Sequence, residues 1–277
     1  FVGISGNFGA IKFGRMDSAA VIANGQQSPL GTGVGSGYGI LQSRVIADTR
    51  YNRSVKFESN TYGGISGSLL WAPGVQSDGT SVSAYAGLPL QRSVIEVGLA
   101  YANGPLAASL INISAGSVGT ATTGTVAPLV YATATSNVST STTILTTQYT
   151  LGNSSFHFGY NKGQTLGTAT NTAGLYYVPA VAAGLDTTGR RLGYKYVMGD
   201  VDLIAQTGQQ KIATSSAGTA FYTRKVSGLR AVKNLSKNTA VYVGYEAYNS
   251  GSNLASTAVD LDGGRYTLTS FGIKKAF

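Results

Sequence analysis

At 277 residues with 43% hydrophobic but only 11% charged side chains, the chain has no run of 18 apolar residues, which excludes a helical membrane span. It contains no cysteine, so thiolate catalysis, Fe–S clusters and cysteine-based zinc sites are excluded too. The net charge of +9 invites a polyanion partner, yet Lys and Arg come singly or in pairs (Arg190 with Arg191, Arg224 with Lys225, Lys274 with Lys275), so no nucleic-acid footprint is expected. A solvated basic surface and a basic interior that attracts small anions remain as readings.

In chain order, short hairpins follow one another. Phe1 to Phe8 meets Gly9 to Met16 at Asn7-Phe8-Gly9, and Arg50 to Asn60 meets Gly64 to Ala72 at Thr61-Tyr62-Gly63. Ser93 to Tyr101 turns through Asn103-Gly104-Pro105 into Ala107 to Ser114, and Ile144 to Leu151 through Gly152-Asn153-Ser154 into Phe156 to Lys162. Arg191 to Met198 turns at Gly199-Asp200 into Val201 to Gln209. Thr223 to Leu235 turns at Ser236-Lys237-Asn238 into Thr239 to Tyr248, and Tyr266 to Phe277 is last. These are about thirteen candidate strands bounded by turn-forming residues. Between the hairpins lie long excursions: Asp17 to Thr49, Pro73 to Arg92, Ala115 to Thr143, Gly163 to Arg190, Gln210 to Tyr222 and Asn249 to Arg265. Short turns alternating with long ones describe an up-and-down meander whose two rims face different environments.

Alternation within the strands gives one greasy and one polar face. Ile65, Leu69 and Trp71 oppose Ser66 and Ser68; Ile95, Val97, Leu99 and Tyr101 oppose Glu96 and Gly98. Phe156, Phe158 and Tyr160 oppose His157 and Asn161; Leu192, Tyr194, Tyr196 and Met198 oppose Arg191 and Lys195. A soluble sandwich alternates in the same way, but its loops do not sort by length. A membrane barrel turns the apolar face to lipid and the polar face to the lumen, and 17 Tyr suit its aromatic girdles.

Four stretches carry a family resemblance. The ending Phe271-Gly272-Ile273-Lys274-Lys275-Ala276-Phe277 resembles the last strand of Gram-negative outer-membrane general porins, with Lys275 and Ala276 where that family often has His and Arg. Leu235-Ser236-Lys237-Asn238-Thr239 is similar to the L-S-K-R-T turn of the β-proteobacterial type. The hairpin from Phe1 to Arg15 and the strand Arg50 to Ser59 resemble those flanking that family's constriction loop. The resemblance implies an all-β, antiparallel up-and-down transmembrane β-barrel, sixteen-stranded in the family, with residues 17–49 as the infolded constriction loop. It implies a homotrimer in outer-membrane lipid and lipopolysaccharide, with Phe271, Ile273 and Phe277 as a signal to the barrel-assembly machinery. It also implies that about three N-terminal strands are absent from this sequence, so that residues 1–277 are an incomplete porin domain.

The expected function is passive diffusion of small hydrophilic solutes and ions, with no cofactor, no metal and no reaction. The constriction is expected to be lined by Arg15, Arg50, Arg53 and Lys56; Arg15 needs a bulge at Gly14 to turn inward, and Arg53 can equally sit at the rim. Lys12, Glu58, Glu96, Lys162, Arg191, Lys195 and Asp202 are further lumen candidates. Nothing between Asp17 and Asp48 is acidic, so a wall of cations without facing carboxylates favours anions. An organic-acid channel, and from another class a surface adhesin or secreted β protein, are the alternatives. His157, the only histidine, has no visible carboxylate partner for general-base work and is expected to line the lumen or rim. The run Gly31-Thr32-Gly33-Val34-Gly35-Ser36-Gly37 lacks phosphate-loop spacing and reads as a flexible loop tip. Asp260 and Asp262 form only an unspecific carboxylate pair.

Overall fold

The computed structural model describes residues 1–37, 50–73, 91–120, 125–126, 129–130, 135–170, 185–214, 220–252 and 264–275. β1 (Val2–Gly6) and β2 (Gly9–Asp17) form the first hairpin, followed by two single-turn helices, α1 (Ala19–Ile22) and α2 (Asn24–Gln27). Next come β3 (Arg50–Glu58), β4 (Ile65–Ala72), β5 (Gln91–Asn103) and β6 (Leu106–Thr120), with a separate small hairpin of β7 (Thr125–Val126) and β8 (Leu129–Val130). β9 (Thr135–Leu151), β10 (Ser154–Thr170), β11 (Leu185–Met198) and β12 (Val201–Thr214) continue the meander. β13 (Ala220–Ser236), β14 (Thr239–Ser252) and β15 (Gly264–Lys275) complete it. The result is one 13-stranded antiparallel sheet in which each strand pairs with its sequence neighbours, β6 joining β9, and β1 and β15 are its edges.

The short turns behave as their chemistry predicts. Gly152 and Gly199 take φ of 55° and 61°, the left-handed region that a two-residue hairpin turn demands and that glycine reaches without steric cost. The long excursions are shorter than the sequence suggests. β6 and β9 stay paired out to Thr120 and Thr135, β10 and β11 run to Thr170 and from Leu185, and β12 and β13 leave only 215–219 between them. Stretches read as loops from their Ser, Thr and Gly content therefore extend the hairpins. Thr and Val favour strands, and hairpins standing in water need no greasy face to keep pairing.

The expected faces are found. Ile65, Leu69, Trp71, Ile95, Leu99, Phe156, Leu192, Leu203, Leu229 and Val243 are exposed, alternating with buried or covered neighbours. Phe271 and Ile273 project with them from edge strand β15, paired with Val243 and Val241. Phe277 lies outside the described residues, as do 38–49 of the expected constriction loop and the pair Asp260 and Asp262. The opposite face, here the inner face, is covered along most of its width by residues 18–37.

Candidate functional site

Residues 18–37 carry no charged side chain and run from β5 to β14 along the inner face, held by a different group at nearly every strand. Ser18 caps α1, its Oγ accepting from the Ala20 amide at 3.1 Å. The buried Glu96 of β5 accepts from the Ser18 hydroxyl and from the Ala19 amide, so a wall carboxylate closes the start of the segment. The Gln26 amide oxygen accepts from Ser109 of β6 at 2.7 Å and Thr146 of β9 at 2.6 Å. His157 Nδ1 donates to the Gln26 carbonyl at 3.0 Å, which makes it the protonated ring nitrogen. Arg191 of β11 donates to Asn24 Oδ1 at 3.2 Å, and Ser28 donates to Gln206 of β12 at 2.7 Å. Gln206 in turn donates to the Ser36 carbonyl at 2.8 Å. At the far end Arg230 of β13 donates to the Val34 carbonyl at 2.7 Å, and Glu246 of β14 accepts from the Gly35 amide at 2.6 Å.

Glycines seat the segment. A Cβ on Gly159 would collide with Gln27, one on Gly193 with Pro29, and one on Gly228 with the backbone of Gly35. Gly33, Gly35 and Gly37 lie correspondingly tight against Arg230, Gly228 and Val226. The glycine run expected to be a flexible tip is instead fitted to the wall, because backbone can approach backbone only where both lack side chains.

Beneath α1 the wall is apolar. Met16, Ala20, Ala23, Tyr51, Leu70, Ala72, Val94, Ile111, Ile113, Ala115 and Ile144 form one buried cluster, with Ala19 and Val21 packed on it. These inner-face residues were missed by a reading that assigned the apolar side only outward. The signal was present: Leu69-Leu70-Trp71-Ala72 and Leu110-Ile111 are continuous apolar runs, as strands covered on both faces require.

The charged candidates divide sharply. Lys12 and Lys56 face inward and share Glu58, the latter at 2.9 Å, and Lys56 also reaches the Asp17 carbonyl at 3.4 Å. Lys195 pairs with Asp202 at 2.8 Å on the same face. Arg191 and Glu96 are buried there. Of the other three expected constriction cations, Arg15 and Arg50 do not reach this face, and Arg53 sits where the alternation of β3 breaks. A register shift does occur between Gly14 and Met16, but its extra residue belongs to β3, so the alternation of β2 continues unbroken through Arg15. Met16 turns inward and Arg15 stays exposed. Arg50 alternates with the buried Tyr51 and pairs with Asp17 at 2.7 Å, both largely exposed. Arg53 takes a φ of 52° at the bulge and is exposed beside the buried Ser54. Lys162 is also corrected: it is exposed between the buried Asn161 and Gly163, on the outward side with Tyr160. Sequence reasoning missed Arg224, Arg230 and Glu246, which the alternation of β13 and β14 turns inward.

A sequence model of the Gram-negative porins matches residues 1–253. The chain belongs to that family. No curated protein matches it. Among solved structures the porin is similar to the anion-selective porin from Comamonas acidovorans, at 20% identity and a TM-score of 0.66 over 99% of this chain and 76% of that one. It is also similar to OmpT of Vibrio cholerae lacking loop L8, at 14% identity and a TM-score of 0.68 over 99% and 77% of the two chains. The outer membrane channel DcaP of Acinetobacter baumannii follows at 14% identity and 0.55, over 95% and 70%. The porin is therefore an outer-membrane β-barrel of a Gram-negative bacterium, with the family and fold of a channel rather than an enzyme. The expected membership of the Gram-negative porins holds.

Proposed function

We propose that this porin passes small hydrophilic solutes and prefers anions, with residues 17–49 narrowing the pore and three copies forming the working unit. One observation carries the selectivity. Each inner-face carboxylate among the described residues is already engaged: Glu58 by Lys12 and Lys56, Asp202 by Lys195, and Glu96 and Glu246 by backbone amides of the inward segment. That segment brings no acid of its own, while Arg191, Arg224 and Arg230 add positive charge beside it. Low-dielectric walls focus this excess on whatever enters. The revised lining set is Lys12, Lys56, Arg191, Lys195, Arg224 and Arg230; Arg50 and Arg53 sit at the rim of the bulge. The trimer reading is supported by a trimeric form of OmpT from Vibrio cholerae among the similar structures, at 16% identity and a TM-score of 0.66 over 98% of this chain and 77% of that one. The anion preference is in keeping with the Comamonas acidovorans porin.

Reversal potentials across a planar bilayer in a KCl gradient test this. The expected sign is that of anion preference, weakened in an R191Q/R224Q double variant. A cation-selective sign in the unsubstituted protein overturns the proposal.

A further inference from the structure

On the short-turn side, residues 25–31 of the inward segment roof a cavity of about 470 Å³. The roof is Gly25, Ser28, Pro29 and Gly31, and the floor is the inner face of β9, β10 and β11 close to their short turns. Register sets the floor groups in two rows, Gln148 with His157 and Gly193 in one, and Thr150 with Ser155 and Lys195 in the next. A Cβ added at Gly25 or Gly31 would meet nothing within 4 Å, so the roof borders open space there, whereas Pro29 lies tight over Gly193 and seats the roof on β11. The volume falls within the roughly 300–1,000 Å³ of small-molecule sites.

The floor is rich in hydrogen-bonding groups that the protein itself leaves underused. His157 is 6% exposed; its Nδ1 is committed to the Gln26 carbonyl, and its Nε2 is buried with no hydrogen-bond partner among the described residues. With the proton on Nδ1, Nε2 is an acceptor, and what it lacks is an O–H or N–H donor. Gln148, Thr150 and Ser155 touch one another only through contacts of 3.4 Å, long for hydrogen bonds, so an amide and two hydroxyls keep capacity for a ligand. The one cation of the floor, Lys195, is engaged by Asp202 at 2.8 Å. Its charge is thereby compensated, and an acceptor nitrogen beside it repels an anion rather than holding one.

We propose that this cavity is a binding site for a neutral polyhydroxylated solute, a sugar or polyol, one hydroxyl donating to His157 Nε2 and others bridging Gln148, Thr150 and Ser155. Such a solute supplies both the donor that Nε2 lacks and the acceptors that the floor hydroxyls and amide can use, which neither a simple anion nor an apolar molecule does. The site needs the channel but not its anion preference, since it acts on uncharged solutes. Short turns face the periplasm in outer-membrane barrels, so the cavity lies past the segment for a solute moving inward. A weak site there holds the solute without trapping it, as flux through a pore requires.

The test is single-channel current through the full chain in a planar bilayer, with glucose as the probe added to one side at a time. Glucose is expected to produce resolved, saturable current blocks, more readily from the short-turn side. Fully O-methylated glucose keeps the ring and its acceptors but has no O–H to donate, and should block at least about tenfold more weakly. Glucuronate, the same ring with a carboxylate, should block no more tightly than glucose. Q148A and S155A should each raise the half-blocking concentration about fivefold with the sugar-free conductance unchanged. S66A, which removes a hydroxyl from a second cavity on the β4–β6 wall, should leave it unchanged. An open channel that glucose does not block, or blocks no better than polyethylene glycol of equal size, overturns the site and leaves the channel standing. So do equal block by the O-methylated sugar, tighter block by glucuronate, or loss of block in S66A alone. A protein that forms no conducting pore sinks the channel itself and the site with it.

Discussion

Helix α1 and the stretch from Asn24 to Gly35 lie against one inner wall, yet they meet opposite chemistry there. Under α1 the wall offers Leu70, Val94, Ile111 and Ile144, and the contact is non-directional burial. From Asn24 onward it offers Ser109, Thr146, His157, Arg191, Gln206, Arg230 and Glu246, and nearly every contact is a directed hydrogen bond. The difference teaches how a short, uncharged segment can be fixed inside a water-filled channel. Apolar burial supplies bulk attraction at the entry, where α1 is a single turn and cannot be stable alone. Directed bonds then set the path, because a slip of one residue would unpair several buried polar groups together.

The apolar half is the place to break this division most severely. Leu70→Ala removes a fully buried side chain from the centre of the cluster and is expected to cost about 2–5 kcal/mol. Guanidinium unfolding in detergent reads that loss. The proposed anion preference should largely survive, since of the lining cations only Lys56 neighbours Leu70, across β3–β4, while Arg191, Lys195, Arg224 and Arg230 stand on β11 and β13; a stable L70A porin with reversed selectivity contradicts the division of roles.

At the boundary of the two halves stands Glu96. Glu96→Ala removes the acceptor for both the Ser18 hydroxyl and the Ala19 amide, and each bond to a charged group is worth roughly 1.5–3 kcal/mol. Because the chain has no cysteine, a single nitroxide-labelled cysteine at Ile22 reports on α1 alone. The label should gain mobility in E96A and only partly in E96Q, which keeps one acceptor oxygen. Unchanged mobility in E96A means the carboxylate does not close the segment.

A smaller effect is expected from the seat itself. Gly228→Ala forces a methyl group into the Gly35 backbone, an overpacking cost of about 1–3 kcal/mol. Gly251→Ala, with nothing near its added Cβ, is the matched control. G228A should raise open-channel current noise as the segment lifts, and G251A should not.

How much of this was legible in the sequence follows from what each signal encodes. Turn residues and period-two alternation are local, so the thirteen strands and their outward faces could be read directly, as Phe156-His157-Phe158-Gly159-Tyr160 shows. Which positions the inward segment would cover is not local. Leu70 and Ile111 look like lapses in alternation until α1 is seen to lie on them. The expectation for Arg15 depended on a bulge in β2, and its placement on β3 left Arg15 exposed on the outward side. Clustering of cations, sought along the chain and not found there, exists only across it: Arg190, Lys225 and Arg265 are far apart in sequence but fall in one cross-strand row, on every second strand. Glu96 was legible as a charge on a polar strand face and Glu246 was missed, but the task both share, holding backbone amides, could not be inferred without the path of the segment.

The smallest expected effect lies outside both halves, at the short-turn rim, and tests whether wall charges behave differently from rim charges. Asp200, in the turn between β11 and β12, pairs with Lys233, and that hydrogen bond and charge hold its carboxyl below the ordinary aspartate range. A depressed folded-state value means the pair stabilises at every pH above the unfolded-state value of about 4 and loses its contribution as pH falls through the lower folded value. The unsubstituted porin should therefore unfold at a slightly higher temperature than D200N at pH 7, and the two should converge below about pH 4. Both partners are exposed, so raising the salt should shrink even the neutral-pH difference. The buried bonds of Glu96 are screened far less, and the loss in E96A should persist at high salt. An E96A deficit that vanishes with salt would place Glu96 among rim charges and remove its claim to anchor the segment.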